Sequence, residues 1–211
     1  MPFPRIAEGP GCDDPPGRRG EMQLKALELF ATRGFAEVGI RELAAHLGFS
    51  PGSVYHYIES KEALLYELIE HLYETLLENT LARRGCADTP LIRLRTLVLA
   101  HIALHGEYGS YFLVAEREQR CLGTTYRKRV ECLRVAYENH IEGLMAQIKG
   151  VRPDAPLKAL SCSVVSMLNL LPEWLSSAKC TAETLAIAFD MAMGAIEAGV
   201  EKTPKPMESY E

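Results

Sequence analysis

Residues 21–77 read EMQLKALELFATRGFAEVGIRELAAHLGFSPGSVYHYIESKEALLYELIEHLYETLL, and this stretch decides the fold. A short helical segment over 39–47 is followed by the turn Gly48-Phe49-Ser50 and a second short helix opening with Pro51. Two short helices joined by a three-residue turn are the sequence shape of a helix-turn-helix, whose second helix enters the DNA major groove. Each turn residue has a physical reason. Gly48 can take φ > 0 and end the first helix, Ser50 can accept a backbone N–H at the start of the second, and Pro51 suits a first helical position. Ile40, Leu43, Ala44, Leu47, Phe49 and Val54 give the pair a shared apolar core.

The same residues carry a family pattern: Leu29-Phe30, Gly34-Phe35, Ile40 to Ala44, Leu47 to Ser50, Gly52 to Tyr57 and Ser60 to Leu65. In this order they resemble the N-terminal domain of the tetracycline-repressor (TetR) family. The chain departs from that pattern at Val38-Gly39, where the family usually has Thr or Ser before the isoleucine. The hydroxyl that would cap the first short helix or touch a phosphate is therefore missing. The resemblance implies that the second short helix reads base edges, which makes Pro51, Gly52, Ser53, Tyr55 and His56 the candidates. It also implies that Tyr57 and Lys61 hold phosphates and that Arg41 reaches the groove or backbone. Tyr55 could pack on a thymine methyl and His56 could bond a base edge. Core packing is the alternative for Tyr55 and Tyr57, and a solvated amine the alternative for Lys61.

Composition agrees with a globular helical regulator. The chain has 211 residues, 47% of them hydrophobic and 24% charged, enough for a small head and a larger body. Its net charge of −5 hides a division. Six Lys and Arg face five acids from Arg18 to Lys61, so the head is weakly basic and the rest acidic. Such a head needs its cations on one face and a second head beside it to bind DNA well. The six cysteines, Cys12, Cys86, Cys121, Cys132, Cys162 and Cys180, show no C-x-x-C spacing. They read as reduced thiols, which points to the cytoplasm. No apolar run and no signal-type N-terminus suggest a membrane segment.

Outward from the head, 1–19 is rich in proline and glycine and reads as a disordered arm ending in Arg18-Arg19. Those arginines could reach a phosphate or minor groove, or simply be solvated. Ser60 caps a long amphipathic helix carrying Leu64, Leu65, Leu68, Leu72 and Leu76, broken over 85–90. Five further helices are expected over 90–104, 107–118, 124–149, 156–177 and 181–200, with a fraying tail over 202–211. The expected fold is all-α with about nine helices. A helix-turn-helix head over 20–66 is joined by a long helix to an effector-binding and dimerisation body over 67–201.

The last two helices read as a dimer surface. Ala188, Ala192, Ala195 and Gly199 line one side of the final helix, and small residues at that spacing permit close approach. The preceding helix offers Val164, Leu168 and Leu175. An isologous interface suits a two-headed reader of a palindrome, and an ordinary core pair is the alternative. For the effector, His101, His105, Tyr108 and Phe112, closed by Met167, Leu171 and Trp174, could line an apolar cavity with a few polar groups. The alternative is plain core. The run Arg117, Arg120, Tyr126 to Arg129, Arg134 and Tyr137-Glu138, followed by Leu168 to Leu171 and Trp174, resembles a branch of the family whose members respond to acyl-CoA thioesters.

No nucleophile motif, phosphate-binding glycine loop or dinucleotide fingerprint is present, so no enzyme and no cofactor is expected. His101 and His105 have metal-compatible spacing, but no third ligand is obvious and no metal is expected. The expectation is a homodimeric, ligand-responsive repressor with three partners: double-stranded DNA bearing a palindromic operator, a second copy, and a small apolar effector, acyl-CoA among the candidates. A helix-turn-helix module without a ligand is the rival.

Overall fold

The computed structural model describes residues 18–82, 89–175 and 181–202. The expected arm and tail, apart from their inner ends, lie outside the described residues, as does most of the break over 85–90. Every regular element is helical among the described residues: α1 Arg18–Arg33, α2 Ile40–Leu47, α3 Pro51–Val54, α4 Lys61–Ala82, α5 Pro90–Glu118, α6 Thr124–Lys149, α7 Ala155–Leu175 and α8 Ala182–Lys202. A 3-10 turn, Gln119–Cys121, joins α5 to α6.

Local chemistry sets most boundaries. Gly48 adopts φ 78, with its N–H bonded to Ala45 O and that of Phe49 to Ala44 O, which ends α2 in a Schellman turn. Gly150 repeats the device at the end of α6 with φ 71. Ser50 Oγ accepts from Ser53 N–H at 3.2 Å, and Pro51 follows at the first position of α3. Ser60 Oγ accepts from Ala63 N–H at 2.9 Å and so starts α4. Gly39 precedes α2 without any side-chain cap, as the missing hydroxyl implies.

Two elements depart from expectation. The helices expected over 90–104 and 107–118 are one continuous helix, α5. A glycine inside a helix costs only about 1 kcal/mol. The unbroken buried stripe Leu94, Leu97, Val98, His101, His105, Tyr108 and Phe112 outweighs Gly106 and Gly109. The second departure is the length of the second short helix of the pair, α3. It ends at Val54, so Tyr55, His56 and Tyr57 occupy a tighter turn in which His56 N–H bonds Ser53 O and Tyr57 N–H bonds Val54 O.

The body packs α5 against α4, α6, α7 and α8, and α7 against α6 and α8. Helix α7 is long and apolar enough, over 19 residues, to match a membrane span, which the apolar-run count missed. Its buried face, including Leu157, Val164, Val165 and Leu168, is occupied by neighbouring helices instead.

That packing corrects the expected dimer stripe. Val164, Leu168, Ala188 and Ala192 are all buried within the protomer. Gly199 makes room for the protomer's own Leu160, because a Cβ there would fall 2.6 Å from Leu160 Cδ1. Small residues do permit close approach, and at Gly199 the helix approached is α7 of the same chain. Ala195 alone of that stripe is exposed. It lies on the opposite face with Ile187, 54% exposed, and Met191, 55% exposed, and with Gly194 and Ala198. The side chain of Leu175 lies outside the described residues.

Candidate nucleic-acid interface and effector site

The head is held together at one point by Lys61. Its Nζ donates to Phe35 O at 2.8 Å and Val38 O at 2.6 Å and sits 4.0 Å from the Phe35 ring centre. These bonds tie the turn between α1 and α2 to the first residue of α4. Partial burial pushes the amine below the usual lysine range, with Cys121 and Glu118 pulling the other way. An ammonium has three donors, so one remains beyond the two carbonyls. The residue expected to hold a phosphate is thus first an internal clamp.

The other candidates divide by exposure. Arg41, Pro51, Gly52, Tyr55 and His56 face solvent, and Tyr55 is 56% exposed, too open for a core residue. Ser53 is half-buried and its hydroxyl shares a 2.8 Å bond with Ser50 Oγ. Tyr57 is also half-buried, its ring 4.8 Å from that of Phe49. Tyr55 and His56 are therefore open to solvent, whereas Tyr57 braces the turn from behind. Arg33 is paired with Glu42 at 3.1 Å and Lys25 with Glu21 at 2.8 Å, which leaves Arg41 prominent on the exposed side of α2.

Head and body meet where α1 packs on α5 and at the first turns of α4. Glu62, next to Lys61, accepts the N–H of Gly123 at 2.7 Å and so caps α6 from a different helix. Glu67 accepts from Arg19 Nη2 at 2.9 Å and from Gln23 Nε2 at 3.0 Å on α1. Leu122 is buried at the same joint. One turn of α4 thus grips the head through Lys61 and the body through Glu62. Sequence reading missed Glu62, because its acceptor role depends on a residue 61 positions away.

In the body, the expected cavity residues separate into two groups. His101, His105 and Phe112 form an aromatic cluster with Tyr137. The ring centres lie 5.4 Å apart for the two histidines, 4.7 Å for His105 and Phe112, and 5.1 Å for His101 and Phe112. His101 Nδ1 and the Tyr137 hydroxyl share a 2.9 Å bond. Tyr108 turns instead toward α4, against His71 at 5.8 Å and Tyr111 at 5.3 Å. Leu171 is buried and Met167 half-buried, while the Trp174 side chain lies outside the described residues. Beside His101 is a cavity of about 10 Å³, lined also by Leu76, Asn79, Leu104 and Tyr137. Such a volume suits one water. No third His, Cys, Asp or Glu joins the histidine pair as a metal cluster among the described residues.

A polar seam, marked in the sequence by Arg134 and Glu138 and by Asn169 within the apolar run 167–171, also crosses the body. Asn169 Nδ2 donates to Glu116 Oε1 at 2.7 Å, and Tyr73 of α4 bonds the same amide. Arg134 bonds Glu138 Oε1 at 3.0 Å and Ser166 Oγ at 3.0 Å, while Cys162 and Lys158 approach the other oxygen of Glu138. Arg134 is therefore committed inside the protein. Arg117 pairs with Glu173 at 2.8 Å, and Arg127 bonds Leu122 O at 2.6 Å. The arginine run thus includes three residues occupied by the protein itself.

Comparison with known proteins gives consistent matches. The family model described as bacterial regulatory proteins, tetR family, matches residues 25–68, and a tetracyclin repressor-like C-terminal domain matches 87–188. The transcriptional repressor KstR2 of Mycobacterium tuberculosis is 30% identical over 104 residues, 49% of this chain and 52% of that protein. The regulator BetI of Brucella anthropi is 27% identical over 88 residues, 42% of this chain and 45% of that protein. These matches span about half the length of the curated relatives. Among solved structures, the ketosteroid transcriptional regulator KstR2 of Mycobacterium tuberculosis superimposes with a TM-score of 0.72 at 19% identity, covering 89% of this chain and 95% of that one. AibR in complex with isovaleryl coenzyme A and operator DNA gives 0.70 at 20% identity, covering 86% and 97%.

Proposed function

Because the chain belongs to the tetR family of bacterial regulatory proteins, we propose that it is a homodimeric repressor, released from a palindromic operator by a small, largely apolar effector. It is a DNA-binding transcriptional regulator of the TetR type. What supports ligand response is the first turn of α4, where adjacent side chains grip the head and the body. A ligand that prefers one arrangement of the body can then change the placement of the head, and DNA must weaken its binding in return. The division is a reading head over 20–66 and an effector and dimer body over 67–201. It works on DNA in the cytoplasm, away from membranes and without a cofactor.

In the head, Tyr55, His56, Pro51 and Gly52 meet base edges, and Arg41 together with the third donor of Lys61 meets phosphates. Ser53 and Tyr57 hold the turn in shape. The dimer forms through the exposed face of α8, Ile187, Met191 and Ala195, rather than through the stripe buried within the protomer. The effector enters against the His101–Phe112 rings, which must part to admit it. An acyl thioester fits the class, given the likeness to a neighbour solved with isovaleryl coenzyme A.

The test is anisotropy with labelled DNA flanking the chain's own gene, followed by competition with acyl-CoAs, fatty esters and polycyclic ketones. Two chains should bind per palindrome, and at least one ligand class should release them. Binding of one chain per site, or random-sequence affinity equal to promoter affinity, would sink the repressor reading. The close packing of the His101–Phe112 rings favours the rival, a helix-turn-helix module without a ligand. That rival gains if no compound shifts either DNA binding or melting.

A further inference from the structure

Three side chains inside the body carry polar atoms that no group among the described residues satisfies: His101 Nε2, both ring nitrogens of His105, and Asn169 Oδ1. All three residues are more than nine-tenths buried, at 1%, 8% and 2% exposure. Buried polar groups are nearly always bonded, and each exception costs roughly 1–3 kcal/mol. Their placement is not scattered. His101 and His105 lie one turn apart on α5, edge to face, with Phe112 against both. His105 leans on the Leu168 carbonyl of α7 without reaching hydrogen-bond geometry, and Asn169 is the next residue along. His105 and Asn169 thus lie at the contact between α5 and α7, while His101, one turn away, borders the small cavity lined by α4, α5 and α6.

We propose that the His101–His105 pair receives an uncharged oxygen, a carbonyl or hydroxyl, of an otherwise apolar effector, and that it rejects a free carboxylate. This rests on the effector reading above and narrows its chemistry to ketones, esters, thioesters and alcohols. A neutral imidazole presents one donor and one acceptor. With Tyr137 holding Nδ1 of His101, the pair still offers both functions to a guest. A hydrocarbon would leave the nitrogens as unsatisfied as before. An ionised carboxylate would need a buried counter-charge, and the side chains around these rings, Phe112, Tyr137, Leu76 and Leu104, carry none. Burying an unpaired ion costs several kcal/mol. Burial itself keeps both imidazoles uncharged, with His105 pushed down to about 4.

The experiment uses the full-length protein with isotope-labelled histidine and four probes of matched chain: undecyl methyl ketone, methyl dodecanoate, dodecanoate and dodecane. The ketone and ester should move the ring-nitrogen NMR signals of His101 and His105 and raise the melting temperature. Dodecanoate and dodecane should bind roughly tenfold weaker or worse, the worth of about one hydrogen bond. His105→Gln, which keeps a donor and an acceptor, should retain the ketone preference, and His105→Phe should abolish it. Dodecanoate or dodecane binding as tightly as the ketone overturns the inference. So do neutral probes that bind while both histidine rings stay unmoved, an outcome that leaves the wider effector reading standing. If none of the four binds, the apolar-effector reading falls and this inference with it.

Discussion

The head and the body satisfy their polar groups in different ways. In the head, most bonds close within a few residues: Ser50 to Ser53, Gly48 to Ala45, Ser60 to Ala63. In the body, beside local bonds of the same kind, the bonds that join one helix to another span long stretches of chain, as in His101 with Tyr137, Arg134 with Ser166 and Asn169 with Glu116. The body also leaves buried ring nitrogens and an amide oxygen unsatisfied. A region that closes its bonds locally folds to one shape and suits a rigid reader of DNA. A region whose bonds depend on helix placement has alternative arrangements within reach, which suits a sensor. The first turn of α4 belongs to both kinds, since Lys61 and Glu62 each close a bond to a distant part of the chain.

The sharpest test of this contrast lies on α8, whose two faces have opposite roles. Ala192→Arg should unfold the protomer, at a cost of about 4 kcal/mol or more, because a charge and its volume enter a filled core. Thermal melts followed by circular dichroism measure it. Met191→Arg or Ala195→Arg should keep the helical signal but yield a monomer by light scattering, with promoter affinity collapsing. A folded monomeric Ala192→Arg protein would return the interface to the buried stripe.

Acid should weaken the body more than the head. His105 is held neutral, with its pKa lowered to about 4 by burial. The unfolded chain therefore binds the proton first, and stability falls as pH drops from the ordinary histidine value toward 4. On the order of 3 kcal/mol is at stake, an upper figure. His105→Gln should flatten that part of the urea-unfolding profile, and an unchanged slope would remove His105 from the account.

Lys61→Ala should cost the head about 1.5–3 kcal/mol, since two carbonyls lose a charged donor. Its salt slope in DNA binding should fall by at most roughly one unit per half-site, the share of the remaining donor. A slope change without loss of stability would make phosphate contact its main role. Tyr55→Ala and His56→Ala should leave melting nearly unchanged. They should relax preference at particular base pairs by about 1–3 kcal/mol. Equal weakening on promoter and random DNA would move them to the backbone-contact class.

What the sequence determined by itself is what short-range chemistry can specify. The helix-turn-helix, its Schellman turn at Gly48, the caps at Ser50 and Ser60, the span of α6 and the all-helical class follow from turn residues and periodicity within a window of a few residues. Tertiary structure decided what depends on which neighbour arrives. The alanine and glycine stripe on α8 fits close packing against either a partner or its own chain, and only the packed chain buries Ala188 and Ala192 within the protomer and sets Gly199 against Leu160 of α7. Gly106 could have ended a helix, but the buried stripe of α5 carries through it. Lys61 could point outward to phosphate or inward to carbonyls, a choice set by where the turn after α1 comes to rest. Tyr108 shares a face with His101 and His105 on paper, yet α4 draws it away, because one helical face about 100° wide can meet more than one neighbour.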